Sequence, residues 1–210
     1  VAAFVGEYVP KNALLDIDAP VAHGSFAGLG GPYFEFKKQQ REAIENARAV
    51  VKAVGAEYSA LSGRPFDVVE TWGMEDAETA IVVIGSTAGN ARHVARGLRA
   101  AGEKVGVVKI RCWRPFPYVE LAAVLKGLKA VAVLDRSESF GAEGGPLFLE
   151  VRSALYDLDT RVPVVDYIYG LGGADVKLEL IERVYQDLSD IAAGTAVPAG
   201  LVYLGAREEA

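Results

Sequence analysis

The chain has 210 residues, of which 51% are hydrophobic and 24% charged, with a net charge of −6. That is the balance of an ordinary globular protein of one domain plus an extension, or two small domains, large enough to bury a core without disulfides or metals. Without a Lys/Arg run to neutralise phosphates or 18 consecutive apolar residues, neither nucleic acid nor a membrane is expected as partner. The lone cysteine, Cys112, forms no internal disulfide, and a cytoplasmic setting is expected.

Residues 1–32 carry Pro10, Pro20, Pro32 and several glycines without a helical period, so an extended arm or linker is expected. Phe4, Tyr8, Leu14, Leu15 and Phe26 call for cover by another domain or subunit. The chain starts at Val1 without a basic-then-apolar leader and reads as a piece of a longer polypeptide. From about Pro32 to Ser62, Phe36, Ile44, Ala47, Val51, Val54 and Tyr58 recur at helical spacing, and Gly63 and Pro65 end the run. The organisation expected is therefore an arm over 1–32, a connecting helix over 33–65 and an α/β domain over 66–210.

In that domain "FDVVETW" (66–72), "TAIVVIG" (79–85), "KVGVVKI" (104–110), "AVAVLD" (130–135) and "VPVVDYIYG" (162–170) read as strands. Helices are expected at about 90–101, 118–125, 146–156 and 176–191, and residues near 201 offer one more short strand. Continuous apolar strands separated by helices predict a three-layer α/β fold, a mostly parallel sheet covered on both faces.

Each strand-to-helix junction is a candidate for chemistry. The first, Gly85-Ser86-Thr87-Ala88-Gly89-Asn90, is neither G-x-G-x-x-G nor a P-loop, and Ser86, Thr87 or Asn90 reads as a helix cap. "MEDAE" (74–78) reads as solvated acids. Arg111 and Arg114 flank Trp113 and precede Phe116, a composition typical of subunit interfaces. "LDRSESFGAEGGP" suggests a phosphate cradle, but Asp135, Glu138 and Glu143 would repel a pyrophosphate, and no acid ends the second parallel strand to hold a ribose. Its Phe140, Gly141 and Gly144 are read with Arg111, Trp113, Arg114 and Phe116 as a subunit-interface set. Gly141 and Gly144 are expected to pack against backbone, untouched by ligand. Asp175 in "YGLGGADV" reads as an N-cap.

Taken in order, "MEDAE", "VIGSTAGNAR", "KVGVVKIRCWRPFP", "AVAVLDRSESFGAEGGPLFLEV" and "YGLGGADV" resemble the C-terminal half of the α chain of the 2-oxoacid:ferredoxin oxidoreductases of the pyruvate synthase type. "HGSFAGLGGPYFEFKKQQREAIENA" is similar to the segment joining the two domains of that chain. The resemblance implies a transketolase C-terminal-like domain within an enzyme that converts 2-oxoacid, CoA and oxidised ferredoxin to acyl-CoA, CO2 and reduced ferredoxin. It implies thiamine diphosphate, Mg2+ and [4Fe–4S] clusters in the whole complex and none bound by this chain alone. It also implies a thiamine-binding β subunit, γ and ferredoxin-like δ subunits or equivalent domains, and ferredoxin as acceptor.

The pyrimidine-facing acid of the family would precede Val1, so no catalytic, cofactor or metal residue is assigned, and the segment is expected to buttress the thiamine domains. Ala174 stands where the family pattern often has a basic residue, and "WGM" (72–74) is less polar than the pattern, which leaves the 2-oxoacid open. Two other readings stand beside this one. One is the equivalent domain of a transketolase or a 2-oxoacid dehydrogenase β chain; the other is a stand-alone nucleotide-binding or regulatory module.

Overall fold

The computed structural model describes residues 2–9, 15–21, 23–24, 27–158, 161–196 and 200–207. The chain forms two compact units, Val1–Phe66 and Asp67–Ala210. In the first unit the arm is not wholly extended: Ala2–Val5 makes one short helix, α1, closed by the Gly6 amide donating to the Ala2 carbonyl at 3.0 Å. Phe4, Tyr8 and Leu15 are exposed, and Leu14 and Phe26 lie outside the described residues.

The expected long helix is α2, Tyr33–Ser62. Gly63 ends it in the left-handed region at φ 68°, with its amide on the Ser59 carbonyl at 3.0 Å. The Ser59 hydroxyl then accepts from the Phe66 amide at 2.8 Å, turning the chain back along the helix. Phe66 thereby covers Gly55, the buried residue of α2, at a distance that leaves no room for a Cβ.

The second unit is one six-stranded sheet. Its strands are β1 Val69–Trp72, β2 Thr79–Ile84, β3 Val105–Ile110, β4 Ala130–Asp135, β5 Val164–Ile168 and β6 Leu201–Tyr203, in the order β1-β3-β2-β4-β5-β6. β3, β2, β4, β5 and β6 run parallel, with Val82 of β2 opposite Val108 on one side and Val133 on the other. β1 is antiparallel to β3, Val69 facing Ile110 and Trp72 facing Val107. Residues 73–78 are too few for the crossover that a parallel connection needs.

Helices α3 Thr87–Ala100, α4 Tyr118–Leu125, α5 Pro146–Leu155 and α6 Leu178–Ala192 cover the sheet. The β2–β3 and β3–β4 crossovers travel in opposite directions, which puts α3 and α4 on opposite faces. α6 packs beside α3, and α5 beside α4. The α3/α6 face holds a hydrophobic core cluster: Ile81, Val83, Ala91, Val107, Ala132 and Leu134 from sheet and helix meet Ile181, Val184 and Leu188 of α6. Each of the Val, Leu and Ile side chains contributes about 1.5–3 kcal/mol by leaving water. Because β2 leads towards β3 and β4 leads the other way to β5, the sheet has a switch point between the carboxyl ends of β2 and β4. Open α/β sheets present their ligand crevices at such points.

Candidate functional site

Asp135 ends β4, and Asp166 lies on β5 in register with Val133. Both carboxyl groups are buried, Asp166 with 0% exposure. Asp135 Oδ2 accepts from the Phe148 amide at 2.9 Å, and Asp166 Oδ2 accepts from the Gly145 amide at 2.6 Å. These amides belong to the first turn of α5, where Gly145 is the N-cap residue and Pro146 follows at N1 without an N–H. The helix terminus in the glycine-rich loop is thus held by two carboxylates of its own sheet. Burial pushes the Asp166 carboxyl up to about 6, the Gly145 amide opposing and the Asp135 charge adding to the rise. Burial raises Asp135 as well, against the amides of Phe148 and Leu147. Asp166 Oδ1 is buried and has no hydrogen-bond partner among the described residues.

The glycines follow from this packing. A Cβ on Gly145 would strike the Asp135 carboxyl group, and one on Gly144 would lie 2.8 Å from Asp166 Oδ2 and against the Phe148 ring. The expectation that Gly144 packs against backbone is therefore corrected: its neighbours are side chains. A Cβ on Gly141 would meet nothing within 4 Å, so its φ of 74° serves the turn rather than a close approach. Sequence reading missed the role of Asp166 because its amide partner lies 21 residues away and meets it only through the β4/β5 register.

The segment after β3 is tied to this chain's own acids. Arg111 Nε sits 3.0 Å from Glu70 Oε2, and Arg92 Nη1 lies 3.4 Å from Glu70 Oε1. The Arg114 guanidinium stacks 4.4 Å from the Trp113 ring and reaches Glu150 at 2.5 Å, where the Tyr118 hydroxyl also donates. Trp113 meets Phe116 edge-to-face at 5.5 Å. Phe116 is 2% exposed and Gly144 buried, so both lie inside the unit; Phe140 is fully exposed, and Arg111 and Trp113 are half-buried.

Three local readings are corrected. Ser86 occupies the N-cap position of α3 without a side-chain cap bond, Asn90 lies within the helix, and the Thr87 hydroxyl instead accepts from the Tyr169 hydroxyl at 2.9 Å. Asp175 does not cap α6, which begins at Leu178 after Lys177. The acids of "MEDAE" are paired as well as solvated: Asp76 accepts from Arg99 at 2.5 Å, and Glu78 from Lys104 at 3.2 Å and from Lys129. These hydrogen bonds hold both carboxyls below the usual range.

A cleft of about 570 Å³ opens at the switch point. Its walls are Gly85-Ser86-Thr87 after β2, Arg136 and Ser137 after β4, Trp113, and the apolar Ile84, Leu134, Leu147 and Tyr169. A hollow of about 440 Å³ lies at the opposite, amino ends of the strands, walled partly by the ion-paired Glu78, Lys104 and Lys129. Among the described residues no three His, Cys, Asp or Glu side chains gather as a metal site. None of the described helices is long and apolar enough to cross a membrane.

Two cofactor fits follow from these contacts. The amides of the glycine-rich loop that would face a diphosphate already donate to Asp135 and Asp166, so this loop does not fit thiamine diphosphate. With Cys112 as its one cysteine, the chain lacks the four thiolates a [4Fe–4S] cluster takes.

Residues 77–181 match the family model described as pyruvate:ferredoxin oxidoreductase core domain II. The chain is 43% identical over 208 residues to pyruvate synthase subunit PorA of Thermotoga maritima, covering 99% of this chain and 52% of that protein. It is 37% identical over 192 residues to ketoisovalerate oxidoreductase subunit VorA of Pyrococcus horikoshii, covering 89% and 48%. The chain thus spans about half the length of the curated relatives it matches. Among solved structures, a split-gene transketolase aligns with a TM-score of 0.41 at 19% identity, over 63% of this chain and 43% of the other.

Proposed function

The chain belongs to the pyruvate:ferredoxin oxidoreductase core domain II family, and from that premise we propose that it forms part of the α subunit of a thiamine-diphosphate-dependent 2-oxoacid:ferredoxin oxidoreductase. The whole enzyme joins 2-oxoacid and CoA with oxidised ferredoxin to give acyl-CoA, CO2 and reduced ferredoxin. Thiamine diphosphate, Mg2+ and [4Fe–4S] clusters are held by its other subunits: a thiamine-binding β subunit, a γ subunit and a ferredoxin-like δ subunit, or the equivalent domains. The observation that carries this reading is 43% identity along 99% of the chain to a pyruvate synthase subunit.

Within that enzyme this segment assembles and buttresses. The loop amides are satisfied by Asp135 and Asp166 of the same sheet, so α5 acts as a fixed strut. Phe140 and Gly141 are exposed in the loop before it, Arg114 and Trp113 are stacked on each other, and Arg111 is held by Glu70. A stacked Arg–Trp pair and an exposed Phe have the composition of interface anchors. Phe116 and Gly144 support this surface from inside.

The test is reconstitution. The purified chain with thiamine diphosphate and Mg2+ is expected to turn over no 2-oxoacid, and 2-oxoacid- and CoA-dependent ferredoxin reduction is expected once the other subunits are added. Turnover by the chain alone would overturn the assembly role.

A further inference from the structure

We propose that the cleft between the carboxyl ends of β2 and β4 binds a small organic anion with a flat apolar body, its charge held by Arg136 and its body against Trp113. The inference lies beyond the reading above and does not depend on it. At about 570 Å³ the cleft is in the size range of small-molecule sites. It also lies where adjacent strands lead off in opposite directions, the place where such sheets take ligands.

The walls divide the ligand into two parts. Ile84, Leu134, Leu147 and the Tyr169 ring make an apolar surface. Ile84 is exposed there although it ends an otherwise buried strand. The Tyr169 hydroxyl donates to Thr87, another wall residue, at 2.9 Å, so its proton is already engaged and the ring is what Tyr169 offers a ligand. Trp113 has one face taken by the Arg114 guanidinium and also lines the cleft.

The charge comes from Arg136. At this end of the sheet Arg92, Arg111 and Arg114 each sit on a glutamate, whereas Arg136 has no carboxylate within ion-pair distance among the described residues. Arg136 is exposed, and its Nε donates to the Gly170 carbonyl at 3.3 Å, which leaves both terminal NH2 groups for a ligand. Asp135 also lines the cleft, but its Oδ2 is directed to the Phe148 amide. A planar guanidinium beside an apolar wall favours a carboxylate or phosphate head on a flat body.

Fluorescence tests this on the full chain. Trp72→Phe leaves Trp113 as the sole tryptophan, and the variant is titrated with benzoate, phenyl phosphate, acetate and benzyl alcohol. Saturable changes are expected with benzoate or phenyl phosphate below about 10 mM, the range expected for so few heavy atoms. Acetate, which has the charge alone, and benzyl alcohol, which has the ring alone, are expected to bind at least roughly tenfold more weakly. The tighter of the two aromatic anions assigns the head group. Arg136→Gln is expected to weaken that anion by roughly tenfold or more, through loss of a charge-assisted hydrogen bond. Calorimetry on the chain with both tryptophans repeats the comparison without relying on the Trp72 substitution. No saturation by either aromatic anion, equal binding of acetate, or binding unchanged by Arg136→Gln would overturn the proposal. The first of these results would leave the cleft to a partner's side chain.

Discussion

Asp166→Asn tests the electrostatics of the glycine-rich loop. In the parent chain Asp166 is fully buried, with Oδ2 on the Gly145 amide at 2.6 Å, Oδ1 unpartnered among the described residues and the Asp135 carboxylate nearby. Its carboxyl group titrates at about 6 rather than 3.8. The folded state therefore keeps a proton that the unfolded chain loses, and the group's contribution is most favourable below pH ~4. It declines as pH rises and is fully lost above pH ~6, by about 3 kcal/mol at ~1.4 kcal/mol per unit. Between pH 4.5 and 7.5 the loss amounts to about 2 kcal/mol.

The asparagine carboxamide still accepts from the Gly145 amide but does not titrate. The stability of Asp166→Asn relative to the parent is thus expected to rise by about 2 kcal/mol from pH 4.5 to pH 7.5. Any constant cost of burying the new amide cancels in that difference. Urea unfolding followed by tryptophan fluorescence reads it directly, because Trp72 and Trp113 both lie in the unit Asp67–Ala210. A stability difference that stays constant with pH would refute the reasoning.

Three further substitutions probe other links. Gly145→Ala drives a methyl group into the Asp135 carboxyl group and is expected to cost about 2–4 kcal/mol in urea unfolding; a loss under ~0.5 kcal/mol would show that the loop can shift. Gly55→Ala displaces the Phe66 ring from α2 and is expected to raise amide exchange at Phe66 and Gly63 while leaving the tryptophan-reported transition unchanged. Phe140→Asp is expected to leave stability within about 0.5 kcal/mol, as exposed substitutions do, yet to weaken association with a thiamine-binding subunit by roughly tenfold, read by calorimetry. Unchanged association would remove Phe140 from the interface.

The parts of the fold legible in the sequence are those whose cause is local. β4 stands at Ala130–Asp135 and α4 at Tyr118–Leu125, as the apolar run and the Pro117 boundary indicate. Pro146 opens α5, and Gly63 closes α2 in the left-handed conformation that glycine favours. What escaped sequence reading depends on partners distant in the chain. The antiparallel pairing of β1 requires β3, and the acids that hold Arg111 and Arg114 are Glu70 and Glu150, on other elements. Asp175 looks like a cap, but the glycine-rich turn Leu171–Gly173 delays α6 to Leu178. The glycines of the loop signal close approach, but the carboxylates they approach come from two different strands.

The assembly role is tested most directly by purifying the chain with its partners from the cells that make it, then assaying each fraction for 2-oxoacid- and CoA-dependent ferredoxin reduction. The account predicts that thiamine-binding and iron–sulfur subunits co-elute with the chain and that activity appears in that fraction. Elution of the chain alone, or ferredoxin reduction by the isolated chain with thiamine diphosphate and Mg2+, would contradict it.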